Sequence, residues 1–236
     1  MIRRRFQFRE TIATVLAEQE EHVEAARRGL MRSRQELERY IAGDPFFAMT
    51  FEPYAVETGS VTVDRMSAAG MSAGVGPMAA VAGAIAWAGV EEMVREGAGL
   101  AVVDNGGDIA LVSDRPLSVG IHAGASPHSD RLAFRLPPQR EVLGICTSSA
   151  TVGPSLSFGT ADAVCVLSHD PSLADAWATA ICNSVSPQDR SVLERVPWDR
   201  VEGVLVIEGD WVFEAGDLPP IVSARVDRDL VTGGLW

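Results

Sequence analysis

Positive charge is scarce in this chain. Of 236 residues, 20 are Lys or Arg against 32 Asp or Glu, a formal net charge of -12. Neutralising phosphates needs an excess of cations, so this balance argues against nucleic acid as a partner. The run Arg3-Arg4-Arg5 is local and easily solvated. Cysteine is scarce too. Cys146, Cys165 and Cys182 are odd in number, widely spaced and never in a C-x-x-C pattern. That excludes a disulfide framework or zinc ribbon and fits a reducing compartment. The start of the chain passes from arginines to FQFRETIATVL with no long apolar run or cleavage site. It reads as having no secretory signal or lipid anchor, and a cytoplasmic location is expected.

A membrane span is also missing. Residues 66–90 carry no charge between Met66 and Val90, but Gly74, Gly76 and Pro77 interrupt them. The stretch beyond Pro77 is too short and too rich in Gly and Ala for a spanning helix of ~20 residues.

What is present is enough apolar residue, 47% of the chain, for an enzyme-sized core. Two short strands are expected within Arg5–Leu16, joined near Arg9-Glu10. A helix is expected from about Glu20 to Ala42. Val23, Ala26, Leu30, Leu37 and Ile41 recur there at helical spacing, supported by Glu24/Arg28 and Arg34/Glu38. Gly43-Asp44-Pro45 ends it, and Phe46–Glu57 reads as an irregular connection. A second, buried helix is expected from Pro77 to about Glu96. Strands are expected at Leu100–Val103, Ile109–Ser113, Ser118–His122, Arg131–Leu136 and Ala163–Leu167. A third helix covers Pro171–Asn183, and a hairpin pairs Val204–Ile207 with Trp211–Glu214. The simplest reading is a single α+β domain over residues 1–236, with helices packed on a mostly antiparallel sheet.

Four segments carry chemistry. The first is Gly70-Met71-Ser72-Ala73-Gly74-Val75-Gly76-Pro77, a glycine-rich loop read as running into a helix. Such a helix start offers backbone N–H groups to an anion. It has neither a Walker lysine nor a G-x-G-x-x-G pattern. The plain alternative is a tight loop whose glycines permit close packing. The second is Asn105-Gly106-Gly107-Asp108, either a hairpin turn or the rim of a pocket where Asn105 or Asp108 bonds a ligand. The third is Cys146-Thr147-Ser148-Ser149, within a stretch free of charge between Glu141 and Asp162. Its small hydroxyls suit an oxygen-rich ligand. None of His22, His122, His128 and His169 is tied to it by a motif, so a Ser/His or Cys/His nucleophile is disfavoured; His22 reads as lying on a polar helix face. The fourth is Asp175 with Thr179, four residues apart on one face of the third helix. They are either a hard-metal donor pair or a solvated acid beside an ordinary helical Thr.

Together these pieces resemble the ApbE-like superfamily, which includes transferases that attach FMN from FAD to protein Thr or Ser residues. VGPMAAVAGAIA (Val75–Ala86), NGGDIAL (Asn105–Leu111), TSSATVGPSLSFGTADA (Thr147–Ala163) and LADAWATA (Leu173–Ala180) look most like its small soluble branch, an uncharacterised protein family. The resemblance implies that Asp175 and Thr179 hold Mg²⁺ beside a flavin pyrophosphate, with a backbone carbonyl near Gly76 as third ligand. It implies a flavin nucleotide, FAD or FMN, contacted by Gly74, Gly76, Asn105, Gly106, Gly107, Asp108, Thr147, Ser148 and Ser149. The chain also departs from the pattern. Pro77 and Met78 stand where transferases have a lysine, and the H-x-I-x-P-x-T-G-like segment is missing. Within the branch, Pro154 replaces the usual histidine and Thr160 a usual lysine. Two readings stay open. One is a Mg-dependent FMN transferase or FAD pyrophosphatase, with catalytic residues unassigned. The other is a non-catalytic nucleotide- or metabolite-binding protein on the same fold. The sequence leaves room for a homo-oligomer.

Overall fold

The computed structural model describes residues 1–9, 11–152 and 159–226. Strands β1 (Ile2–Phe8) and β2 (Thr11–Ala17) form an antiparallel hairpin in which Phe8 faces Thr11. The arginines of β1 keep this edge strand charged, which discourages pairing with another chain. Helix α1 (Glu20–Gly43) buries Val23, Ala26, Leu30 and Leu37, the spacing read from sequence. His22 is a correction: it is only 5% exposed, not on a polar face.

The connection expected at Phe46–Glu57 contains a short helix, α2 (Phe46–Met49), anchored by buried Phe47. A further helix, α3 (Val61–Ala73), has no counterpart among the expected elements. Its buried face is Thr62, Val63, Met66, Ser67, Ala69, Gly70 and Ala73. Residues this small give little apolar contrast, so the helical period is faint in the sequence. The expected Gly70–Pro77 loop is therefore corrected: Gly70–Ala73 are the last turn of α3, which ends at Gly74 in the left-handed conformation, φ 74°. Pro77–Ala80 then forms a 3₁₀ turn, and only Val81–Arg95 is α-helix (α4). The chain bends by 108° between α3 and the Pro77–Arg95 segment. Among the described residues no single helix is long and apolar enough to cross a membrane.

Strands β3 (Leu100–Asn105), β4 (Asp108–Ser113), β5 (Leu117–Ile121) and β6 (Leu132–Leu136) fall close to their expected places. Strand β7 (Gln139–Ser148) is an addition to the expected set, because its second half reads as a polar pocket lining. Beyond it come β8 (Ala163–Ser168), α5 (Pro171–Cys182), the hairpin β9 (Gly203–Glu208) and β10 (Trp211–Gly216), and β11 (Ile221–Ser223). The main sheet has the order β1-β2-β3-β4-β7-β8-β9-β10, and a smaller sheet the order β11-β6-β5. Their strand pairs are antiparallel. The protein is an α+β fold of three layers. Helices cover one face of the large sheet, where α4 packs on β3 and β4, and α5 on β7 and β8. The small sheet covers the other face through Phe134, Leu136, Leu143, Ile145 and Leu205. Three-layer burial explains why β8 is buried at every position.

Candidate functional site

Helix α5 opens with Asp170 as N-cap, its carboxylate accepting the Leu173 N–H at 3.0 Å, and Pro171 in the first turn. Pro171 sits in a notch between two glycines. A Cβ on Gly144 would lie 2.6 Å from its Cα, and one on Gly83 would lie 2.3 Å from its carbonyl oxygen. This close approach brings α5, β7 and the first turn of α4 to one point. Helix α5 is then buried almost all round, and Asp175 lies within it at 8% exposure. The reading of a solvated acid is thus overturned.

The Asp175 carboxylate accepts the Gly83 N–H at 2.8 Å, and the Ala82 N–H also bonds to it. These are the second and third residues of α4, so Asp175 caps that helix from a different one. The α-helix start expected at Pro77 lies at Val81. Pro77 opens a 3₁₀ turn, and these N–H groups of the α-helix proper are held by Asp175. Burial still dominates, raising the Asp175 pKa to about 7 despite the two backbone bonds. Asp108, at the start of β4, accepts the Thr147 N–H at 3.2 Å. Burial, and then the negative charge of Asp175, hold it well above the usual carboxylate range. An acid from a distant part of the chain thus opposes the ionisation of Asp108.

Other residues brace this pair. The Asn105 side-chain amide donates to the Ala82 carbonyl at 3.1 Å, clamping the turn that Asp175 caps. Cys146 is fully buried, and its thiol contacts the Pro171 carbonyl at 3.4 Å. Burial and the charges of Asp108 and Asp175 push its pKa well up, so it stays a thiol and supplies no nucleophile. Gly106 and Gly107, φ 73° and 106°, make the turn that presents Asp108; Gly107 N–H donates to the Asp104 carboxylate at 2.9 Å.

Asn105, Asp108, Thr147 and Asp175 are therefore linked into one group. Ser148 is half-buried at the end of β7, opposite Val164. Ser149 holds its own turn, accepting the Thr151 and Val152 N–H groups at 3.1 and 2.9 Å. Thr179 is half-buried one turn beyond Asp175. Gly76 is buried against Thr50 and Phe51, and its carbonyl accepts the Ala79 N–H at 3.1 Å. A Cβ on exposed Gly74 would face Arg195 at 3.9 Å. The hydrogen bonds of the described residues do not tie Gly74, Gly76, Ser149 or Thr179 to the carboxylate pair. Pro154 lies outside the described residues. Sequence reading missed Ala82 and Gly83, which act through backbone N–H groups that no residue type advertises. It also missed Asp162, a buried acid that accepts from Thr151 Oγ1 at 2.9 Å and from Gly209 N–H at 2.8 Å.

The donor set consists of hard oxygens. No group of three or more His, Cys, Asp or Glu suited to a metal exists among the described residues. Mg²⁺ needs no such cage, because it binds through one or two carboxylates and completes its shell with water or phosphate. The chain also contains no lysine; its 20 cationic side chains are all arginine.

The three-layer architecture is that of the ApbE fold. Two solved structures share it: the flavin transferase ApbE from Vibrio cholerae (TM-score 0.61, 13% identity, covering 92% of this chain and 96% of that one) and Pseudomonas stutzeri flavinyl transferase ApbE in its apo form (TM-score 0.53, 12% identity, 99% and 97%). A family model described as AbpE bacteria matches residues 3–203. UPF0280 proteins of Methanoculleus marisnigri and Methanosphaerula palustris are 59% and 56% identical to this chain, each over 99% of it and over 96% and 99% of their own lengths. The chain belongs to the UPF0280 family, a branch of the ApbE-like proteins.

Proposed function

We propose that this protein binds a flavin nucleotide, FAD or FMN, together with Mg²⁺, within one ApbE-like domain spanning residues 1–236. The observation that carries the reading is the Asp108–Asp175 pair. Each acid resists ionisation in its setting, and a divalent cation would relieve their repulsion while bridging to a phosphate. Asp175 and Thr179 would contribute side-chain oxygens. The Gly76 carbonyl, engaged by Ala79, keeps a second lone pair for the metal. The bound cation would supply neutralisation of the pyrophosphate. Gly74, Asn105–Asp108 and Thr147–Ser149 would line the ligand, with the Ser148 and Ser149 hydroxyls as hydrogen-bonding groups.

Binding without FMN transfer is favoured over transferase or pyrophosphatase activity by the complete absence of lysine. It is favoured too by Pro77, which opens a 3₁₀ turn where the transferase pattern has that lysine. The three buried cysteines, without a disulfide among the described residues, agree with a reducing, cytoplasmic setting. The test is calorimetric titration of FAD and FMN with and without Mg²⁺, together with an assay for AMP release from FAD. Mg-dependent binding without AMP release is the expected result. No binding of either flavin with Mg²⁺ defeats the flavin reading, and AMP release with a protein acceptor restores the transferase.

A further inference from the structure

We propose a second ligand site, separate from the carboxylate pair, that takes a small phosphate-bearing anion. It is a cavity of about 1100 Å³ between the β5–β6 loop, Gly124–Arg131, and the segment Ala224–Val226. Its volume is of the order of small-molecule sites, typically about 300–1,000 Å³.

Two cations stand on its rim, and the backbone brings them there. The Ala224 N–H donates to the Arg131 carbonyl at 2.8 Å, and the Val226 N–H to the Asp130 carbonyl at 3.0 Å. This short pairing places Ala224 opposite Arg131 and Arg225 opposite Asp130, so both arginines reach one cavity although they are far apart in sequence. Both are exposed and line the cavity. Neither guanidinium makes a hydrogen bond or ion pair among the described residues. Many other arginines of this acidic protein are engaged, as in Arg28–Glu96, Arg32–Glu92, Arg65–Glu91 and Arg200–Asp170. Two guanidiniums on one cavity rim can be bridged by an anion that accepts from both.

The wall behind them is built rather than loose. Ser126 Oγ donates to the Gly209 carbonyl at 2.8 Å, and Ser129 Oγ accepts the Ala123 N–H at 3.0 Å. Asp130, the acid of this lining, has φ 61°, a left-handed conformation uncommon outside glycine. Its carboxylate lies 2.9 Å from His122 Nδ1. The lining thus keeps a net cationic character. Two guanidiniums offer more donors than the two oxygens of a carboxylate can use, and match the three terminal oxygens of a phosphoryl group.

Inorganic phosphate is the probe, titrated at low ionic strength without Mg²⁺ or flavin, so that the outcome is independent of the flavin reading. Wild type is compared with Arg131→Gln, Arg225→Gln, the double variant, the distant exposed Arg140→Gln and Asp175→Asn. Thermal unfolding of each checks that it is folded; the single variants serve if the double is not. The expected result is saturable binding weakened at least tenfold by either rim substitution, and unchanged in Arg140→Gln and Asp175→Asn. Absence of saturable binding to wild type overturns the proposal. So does equal binding by wild type and both rim variants, or altered binding in Asp175→Asn, which would tie the phosphate to the carboxylate pair.

Discussion

The Asp175 carboxylate accepts the Gly83 N–H at 2.8 Å, so an acid on α5 closes the open end of α4. A capping role and a metal role compete for one side chain, and substitutions can separate them.

Asp175→Asn keeps an acceptor for Gly83 but removes the charge. In metal-free protein at pH 8 its stability should equal or exceed that of wild type, because a buried ionised carboxylate is lost. Asp175→Ala leaves the Gly83 and Ala82 N–H groups unpaired and should cost about 1–3 kcal/mol. Urea unfolding of the two variants checks the ranking. If Asn is as damaging as Ala, the cap does not work as described. Mg²⁺-dependent FAD binding should be weakened in both.

The pair also sets a pH dependence. The Asp175 pKa is about 7 in the folded protein, raised by burial, against ~3.9 for an unfolded Asp. The folded state therefore holds a proton that the unfolded chain releases. The pair's contribution is fully present below about pH 4 and is lost as pH rises towards 7. Asp108, also raised, extends the loss in the same direction. Metal-free wild type should show a lower unfolding temperature at pH 8 than at pH 5.5, and Asp108→Asn/Asp175→Asn a smaller drop. A larger drop in the double variant would contradict the assignment. Mg²⁺ should raise the wild-type value at pH 8 selectively.

Gly83 is required by space rather than by φ. A Cβ there would stand 2.3 Å from the Pro171 carbonyl oxygen and 3.0 Å from Asp175 Cβ. Gly83→Ala should force α5 away from α4, with a cost of roughly 1–3 kcal/mol, despite the higher helix propensity of Ala. Gly43→Ala, with open space at its Cβ position, is the control, measured by the same urea unfolding. Equal stabilities of the two variants would refute the close contact.

Cys146, Cys165 and Cys182 are buried and form no disulfide among the described residues. Burial pushes the Cys165 thiol up to about 11, and burial with neighbouring carboxylates holds Cys146 well above the usual thiol range. Thiol reagent should react negligibly with native protein and with all three cysteines after unfolding without reductant. A smaller number would reveal a disulfide.

Much of the fold was legible where apolar contrast is strong. The period of Val23, Ala26, Leu30 and Leu37 located α1, and Asp170-Pro171 marked the start of α5 within one residue. Contrast failed at α3, whose buried face is Ala, Gly, Ser and Thr with few large side chains. It failed again at β7, where Cys146 and Thr147 look like pocket lining because a central strand between α5 and the small sheet tolerates small, weakly polar residues.

The sequence by itself determined which residues have the chemistry: an acid on an Ala-rich helix, a second acid after a Gly-Gly turn, and no lysine for a phosphate. Tertiary structure alone decided what those acids face. Asp108 and Asp175 become a pair because Gly83 and Gly144 leave room for Pro171, which seats α5 against α4 and β7. The partners of Asp175 are backbone N–H groups, identical in every residue but proline, and the elevated pKa comes from burial. Neither has a signature in the one-dimensional chain, because both depend on which elements pack together.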